Sequence, residues 1–179
     1  MTSLSRRISP ASLFMILLSV PAVPALALEG FRFDAIEGGT LDLADWRGRP
    51  VLVVNTASLC AYSGQYDDLQ ALQDRYGDRI VVLAVPSDDF NQELANEAAV
   101  RDYCAVNFDL TIPMTTITTV TGENAHPFYA WAEEVHGFVP AWNFSKVLLA
   151  PDGTYVDGWG PGTGPTDTAI TARIDAALR

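Results

Sequence analysis

The chain has 179 residues, of which 22 are acidic and 11 are basic, and its formal net charge at pH 7 is −11. Its length is that of one domain, and a hydrophobic fraction of 49% is too high for a disordered chain. The acidic balance argues against nucleic-acid binding, which needs clustered Lys and Arg. With 2 cysteines, the chain forms neither a disulfide-dense scaffold nor a zinc site built from cysteines alone.

Residues 1–27 have the features of a secretory signal peptide. Arg6 and Arg7 precede an apolar run, and Ala-Leu-Ala at residues 25–27 is the small-x-small pattern that signal peptidase recognises. The run is shorter than the roughly 20 apolar residues that span a bilayer, although an uncleaved N-terminal anchor is the alternative. We expect residues 28–179 to form the mature domain, periplasmic or secreted, without stable membrane association. The arginine pair leaves both the general and the twin-arginine export routes open.

The mature segment begins with patterns typical of a β-hairpin followed by a βαβ unit. A hairpin is indicated by two short alternating segments around a glycine pair, and the βαβ unit by two uninterrupted β-branched runs with a helical pattern between them. The predicted elements are strands at 31–36, 40–43, 51–55 and 80–85 and a helix at 66–76. A right-handed crossover joins the two buried strands.

The rest of the chain adds three helices and an antiparallel hairpin. They are predicted as helices at 96–107, around 128–131 and from 165 onwards, and as strands at 144–149 and 154–159. In the last helix, Ile170, Ile174 and Leu178 face inward. The predicted fold is therefore α/β, with a central mixed β-sheet flanked by helices on both faces and an N-terminal β-hairpin.

Cys60 follows the first buried strand, at the end of a parallel sheet where ligands and reactive residues collect. The helix predicted from residue 66 would point its N-terminus, with free N–H groups and a positive dipole, toward the sulfur. Such a position favours the thiolate, which is the nucleophilic form. The alternative is a buried cysteine that packs as a small apolar side chain.

Four segments resemble the glutathione peroxidase family, in the family's order and spacing. Residues 53–60 resemble the segment that holds the family's reactive cysteine or selenocysteine. Residues 84–93 are similar to the family's Pro-Cys-Asn-Gln-Phe-Gly-Gly-Gln-Glu, residues 122–129 to Asn-Ala-His-Pro-Leu-Tyr, and residues 142–146 to Trp-Asn-Phe-Thr-Lys. The resemblance spans about residues 31–178, which is nearly the whole predicted mature domain.

The resemblance implies a thioredoxin-like fold and the thiol-dependent reduction of hydrogen peroxide and organic hydroperoxides, in defence against oxidative stress. By the same match, Cys60 is the peroxidatic residue, while Trp142 and Asn143 belong to the family's catalytic tetrad. An indole N–H and an amide NH₂ are both donors that could stabilise a thiolate. Outside this motif, the two residues would be interpreted as a core aromatic and a turn-forming asparagine.

Asp89 stands where the family has the tetrad glutamine, and its neighbour Asp88 replaces an asparagine. An ionised carboxylate only accepts hydrogen bonds and disfavours a nearby thiolate. We therefore expect Asp89 to line the site and tune it rather than to act as a plain donor, with Gln92 as an alternative source of the missing amide. Leu59 replaces a lysine common before the reactive cysteine, which removes a cation that would favour the thiolate.

Cys104 is the candidate for a resolving thiol, on the helix predicted at residues 96–107. Thioredoxin-dependent members of the family carry a resolving cysteine in this region, but the match puts that position at Ala105. One residue on a helix is a rotation of about 100°, and Cys104 shares a face with Val100 and Tyr103. The pattern favours a packed free thiol over a resolving thiol or a structural disulfide.

No metal or bound cofactor is expected. His126 starts a predicted helix, where it caps or packs, and His126 and His136 lack the nearby cysteine pairs of a convincing metal site. The resemblance implies a hydroperoxide substrate and an external thiol reductant, such as glutathione or a thioredoxin-like protein. The short segment at residues 131–142 lacks the loop that mediates assembly in tetrameric relatives, which favours a monomer.

The sequence also leaves a second function open. A thioredoxin-fold protein that has lost peroxidase chemistry could act as a binding or thiol-handling partner. Asp88, Asp89 and Leu59 favour this alternative, because each departs from the family in a way that weakens activation of the thiol. The peroxidase is the preferred hypothesis, since four family segments occur in register.

Overall fold

The computed structural model of the protein describes residues 30–179. The predicted signal peptide at residues 1–27 and the predicted domain start at residue 28 lie outside the described residues, and both stay predictions. Within residues 30–179, no helix combines the length and the apolar character needed to cross a membrane.

The described chain opens with the predicted antiparallel hairpin. β1 (Arg32–Asp34) pairs with β2 (Thr40–Asp42), and Gly38 and Gly39 in the turn have φ angles of +89° and +83°. Because side chains are strained at such angles, the glycine pair allows the chain to reverse here. A 3-10 helix (Leu43–Trp46) then leads toward the central sheet.

Four strands form one mixed sheet in the order β4-β3-β5-β6. β3 (Val51–Thr56) and β4 (Val81–Pro86) run parallel, and every residue of both strands is buried. β5 (Lys146–Leu149) is antiparallel to β3 and to β6 (Tyr155–Trp159). The uninterrupted apolar runs therefore correctly predicted the buried parallel pair.

Four helices pack against this sheet: α1 (Gln65–Tyr76), α2 (Glu97–Phe108), α3 (Pro127–His136) and α4 (Thr168–Ala177). α1, α2 and α4 bury side chains in one hydrophobic core, whereas α3 and the hairpin form a second core. Alternate residues of β3 belong to different cores, as expected for the two faces of a sheet. The predicted α/β class, with helices on both faces, is confirmed.

His126 caps α3, as the sequence predicts. Its Nδ1 accepts the Phe128 N–H at 3.2 Å, its Nε2 lies 2.8 Å from the Arg32 carbonyl oxygen, and its ring stacks on Phe33 with centroids 3.8 Å apart. Burial lowers the pKa of His126 below its ordinary value, which favours the neutral ring that an accepting Nδ1 requires. These contacts join the hairpin to α3.

Candidate active site

Three loops meet at one edge of the central sheet. β3 and β4 run parallel and end in register, and β5 runs antiparallel to β3 and begins at the same edge. The loops after β3 and β4 and the loop before β5 are therefore brought together. In chain order, these loops hold Cys60, then Asp89, then Trp142 and Asn143.

Asn55, near the end of β3, holds the loop before β5 in place. Its Nδ2 donates to the Trp142 carbonyl oxygen and its Oδ1 accepts the Ser145 N–H, each at 3.1 Å. Between these two contacts Phe144 has a φ of +64°, which an extended strand does not accommodate. The strand predicted from residue 144 therefore begins at Lys146.

Cys60 lies in the turn between β3 and α1 as a buried free thiol. Its Sγ accepts the Tyr62 N–H at 3.4 Å. α1 begins at Gln65 with Gly64 as its N-cap, and no side chain caps it. Cys60 thus lies in the chain between the end of β3 at Thr56 and the start of α1 at Gln65.

Gln92 links the Cys60 turn to Asn143. Its carbonyl oxygen accepts the Leu59 N–H at 2.9 Å, and its Oε1 accepts from Asn143 Nδ2 at 3.2 Å. Asn143 is fully buried, and its Oδ1 has no hydrogen-bond partner among the described residues. The side-chain amide of Gln92 therefore contacts Asn143 as an acceptor, and its role as the source of the missing donor stays a prediction.

Trp142 covers the same edge from outside. Its indole packs against Phe90 with ring centroids 5.0 Å apart, and the residue is 39% exposed. Its carbonyl oxygen also accepts the Ser145 hydroxyl at 2.8 Å. Since more than a third of the residue is exposed, Trp142 is not the core aromatic that its residue type alone would suggest.

Asp89 uses its carboxylate to hold a neighbouring loop. Its Oδ2 accepts the N–H groups of Val120 and Thr121 at 2.7 and 2.8 Å, and the Thr121 hydroxyl at 3.0 Å. Among the described residues, no hydrogen bond joins this carboxylate to Cys60 or Asn143. Any effect of Asp89 on the thiol must therefore act through its charge or through the loop that it holds.

Glu93 is a buried carboxyl group next to the Cys60 turn. Its Oε1 accepts the N–H groups of Ser58 and Leu94 at 2.9 and 2.8 Å, while its Oε2 is buried without a partner among the described residues. Burial raises the pKa of Glu93. Burial also raises the pKa of the neighbouring Tyr66 well above its ordinary value, so these buried surroundings favour uncharged groups.

Cys104 lies on the inner face of α2, while Ala105 is exposed. Burial raises the pKa of the Cys104 thiol to about 11, which leaves it protonated and poorly nucleophilic at neutral pH. Both cysteines are free in the structure. These observations agree with the packed thiol that the helical pattern favours.

Lys146 is a buried lysine at the start of β5. Its Nζ donates to Gln65 Oε1 at 2.5 Å and to the carbonyl oxygens of Phe144 and Thr163 at 2.8 and 2.6 Å. Burial lowers the pKa of Lys146 to about 8. Because Gln65 is the first residue of α1, this lysine fixes the helix that follows the Cys60 turn.

The sequence does not reveal the roles of three residues of this region, although each carries a visible signal. Asn55 is a polar residue at the end of an apolar strand, and Lys146 is the only lysine of the chain. Glu93 lies within a family-like segment, but nothing in its spacing indicates that it is buried. Only the tertiary contacts show which segments of the chain the three side chains fix in place.

The fold and the thiol together define the class of the protein. A thiol placed between a buried parallel strand and a helix N-terminus, on a mixed sheet, is typical of thioredoxin-fold proteins. The solved structure of T. cruzi GPX1 shares this architecture, with a TM-score of 0.65 and 25% sequence identity, over 85% of this chain and 96% of that one. The predicted thioredoxin-like fold is therefore confirmed.

The family model for glutathione peroxidase matches residues 29–133, more than half of the chain. A glutathione peroxidase of Lactococcus lactis subsp. cremoris is 32% identical over 145 residues, which cover 76% of this chain and 92% of that protein. The hydroperoxy fatty acid reductase gpx1 of Synechocystis sp. is 32% identical over 166 residues, which cover 83% and 94%. The chain belongs to the glutathione peroxidase family.

Family membership confirms the resemblance that the sequence motifs indicate. The protein is an oxidoreductase of the peroxidase class, which acts on a hydroperoxide with a thiol reductant. Cys60 and Asp89 lie within the matched residues 29–133. Among residues 30–179, no group of three His, Cys, Asp or Glu side chains is placed to hold a metal ion.

Proposed function

We propose that the protein reduces hydrogen peroxide and organic hydroperoxides with the Cys60 thiolate as the attacking group. Sγ forms a bond to one peroxide oxygen, the O–O bond breaks, and the leaving oxygen takes a proton to become water or an alcohol. Cys60 is thereby oxidised to a sulfenic acid. A first external thiol displaces water to form a mixed disulfide, and a second thiol releases Cys60 as the disulfide of the reductant forms.

The position of Cys60 is the observation that carries this proposal. Its thiol is free, lies where β3 ends and α1 begins, and accepts the Tyr62 N–H at 3.4 Å. A hydrogen bond to the charged form stabilises the thiolate. Family membership supports the reaction class, and the position of Cys60 supports its role as the nucleophile.

The residues around Cys60 have separate proposed roles. Asn143 donates a hydrogen bond to the thiolate from its buried amide. Trp142 shields the thiolate and offers its indole N–H as a second donor. Gln92 orients the Asn143 amide through the hydrogen bond at 3.2 Å. Asp89 tunes the site through its charge and through the loop at residues 120–121, and it is not a plain donor.

The reductant, the assembly and the cellular location are further parts of the proposal. An external thiol, glutathione or a thioredoxin-like protein, serves as the reductant without any bound cofactor. The protein acts as a monomer in the periplasm or outside the cell, after removal of residues 1–27, in defence against oxidative stress. Sedimentation of the purified protein tests the assembly, and N-terminal sequencing of the exported protein, expected to begin at Leu28, tests the processing.

Peroxide consumption by the wild type, Cys60→Ser and Cys104→Ala tests the reaction. The wild type and Cys104→Ala should consume hydrogen peroxide in the presence of a thiol, whereas Cys60→Ser should fall to the rate without enzyme. Cys104→Ala is the matched control, because it removes the other buried thiol. Equal rates for the wild type and Cys60→Ser would refute the proposal, and repeating the assay with several reductants identifies the preferred thiol.

A further inference from the structure

The two residues before Cys60 are both held by the loop that follows β4. The Ser58 N–H donates to Glu93 Oε1 at 2.9 Å, and the Leu59 N–H donates to the Gln92 carbonyl oxygen at 2.9 Å. The turn is therefore held by contacts with a distant segment as well as by its own internal hydrogen bonds. Two consecutive residues, Gln92 and Glu93, attach it to the body of the protein.

Glu93 is itself fixed by its surroundings. Its N–H donates to Asp88 Oδ1 at 3.0 Å, and its Oε1 accepts the Leu94 N–H at 2.8 Å as well as the Ser58 N–H. The residue is 8% exposed. A buried carboxyl group is costly unless its hydrogen bonds offset the loss of hydration, yet Oε2 has no partner among the described residues. An apolar side chain would pack here at a lower cost than a carboxyl group. The presence of the accepting oxygen, Oε1, therefore needs an explanation.

We propose that Glu93 is a positioning residue for the reactive thiol, which holds the Cys60 turn by accepting the Ser58 N–H. The same segment fixes the other side of the site, because Gln92 accepts from Asn143 Nδ2 at 3.2 Å. Loss of the Glu93 acceptor frees Ser58 and lets Sγ move relative to the Tyr62 N–H and the Asn143 amide. A misplacement of about 1 Å is enough to lower a rate by one to two orders of magnitude.

This inference rests on the proposed role of Cys60, and the test uses a readout that does not require peroxide turnover. The rate of Cys60 alkylation by iodoacetamide is measured from pH 5 to pH 10, with mass spectrometry to separate Cys60 from Cys104. The variants are Glu93→Gln, which keeps an acceptor oxygen, and Glu93→Leu, which removes it. Gln73→Leu is the matched control, since Gln73 Oε1 accepts the Val82 N–H at 2.9 Å, at the start of β4 and away from the loop that follows that strand.

Glu93→Leu should move the midpoint of the Cys60 alkylation profile upward and, because only the thiolate reacts, should lower the rate at neutral pH about tenfold. Glu93→Gln should stay within about twofold of the wild type, because the acceptor is retained. Gln73→Leu should lower stability without moving the alkylation profile. The proposal is overturned if Glu93→Leu matches the wild type, if Glu93→Gln falls as far as Glu93→Leu, or if Gln73→Leu moves the profile equally. If Cys60 of the wild type is alkylated as expected but the wild type does not reduce peroxide, the result would instead count against the proposed function.

Discussion

Replacement of Lys146 by methionine should change how the stability of the protein depends on pH. Lys146 is fully buried, and its ammonium group donates to Gln65 Oε1 and to two carbonyl oxygens, those of Phe144 and Thr163. Burial lowers the pKa of Lys146 from 10.5 to about 8. Methionine removes the titrating group while keeping a flexible side chain of similar length.

The sign of the effect follows from the protons bound in the two states. Between pH 8 and pH 10.5, the unfolded chain holds a proton on Lys146 that the folded protein has lost, so the free energy of unfolding rises with pH. The difference between 10.5 and about 8 corresponds to about 3 kcal/mol. Below pH 8, the folded protein carries the whole penalty of the buried charge.

Urea unfolding of the wild type and Lys146→Met at several pH values measures this difference. The wild type should gain about 3 kcal/mol relative to the variant between pH 8 and pH 10.5, because titrations shared by both proteins cancel. Arg173→Met is the control, since Arg173 forms an exposed ion pair with Asp157 at 3.4 Å, and its difference from the wild type should stay flat over this range. A flat difference for Lys146→Met would refute the reasoning.

Three further predictions concern the site. Leu59 is 60% exposed beside Cys60. Leu59→Lys should raise the rate of peroxide reduction with anionic glutathione several-fold, because the lysine attracts the reductant electrostatically, and added salt should screen this gain. An equal gain with neutral β-mercaptoethanol would contradict attraction of the reductant and would instead indicate that the new cation favours the Cys60 thiolate. Asp89→Gln should lower the free energy of unfolding by about 2 kcal/mol, because charge-assisted hydrogen bonds are lost, and should move the pH profile of Cys60 alkylation. An unchanged profile would remove Asp89 from the site. Cys104, with its pKa raised to about 11 by burial, should stay reduced after one equivalent of peroxide, and mass spectrometry should find a sulfenic acid on Cys60. A disulfide between the two cysteines would instead make Cys104 a resolving thiol.

The elements of the fold could be predicted from the sequence because local rules govern them. The β-branched runs predicted β3 and β4, the glycine pair predicted the hairpin, and helical spacing predicted α1. The strand limit near residue 144 was wrong by two residues. Phe144 adopts a φ of +64° because Asn55 holds the residues on both sides of it, and no local pattern encodes such a long-range contact.

The family and the candidate nucleophile could also be predicted from the amino-acid sequence, since motif order and the position of Cys60 between a strand and a helix are properties of the chain. The hydrogen-bond partners of these side chains, by contrast, depend on the folded arrangement. It directs the Asp89 carboxylate to Val120 and Thr121, joins Gln92 to Asn143, and places Glu93 against the Ser58 N–H. Residues far apart in sequence meet because three loops converge where β3, β4 and β5 share one edge. That convergence comes from strand order and direction, which no single segment of the sequence specifies.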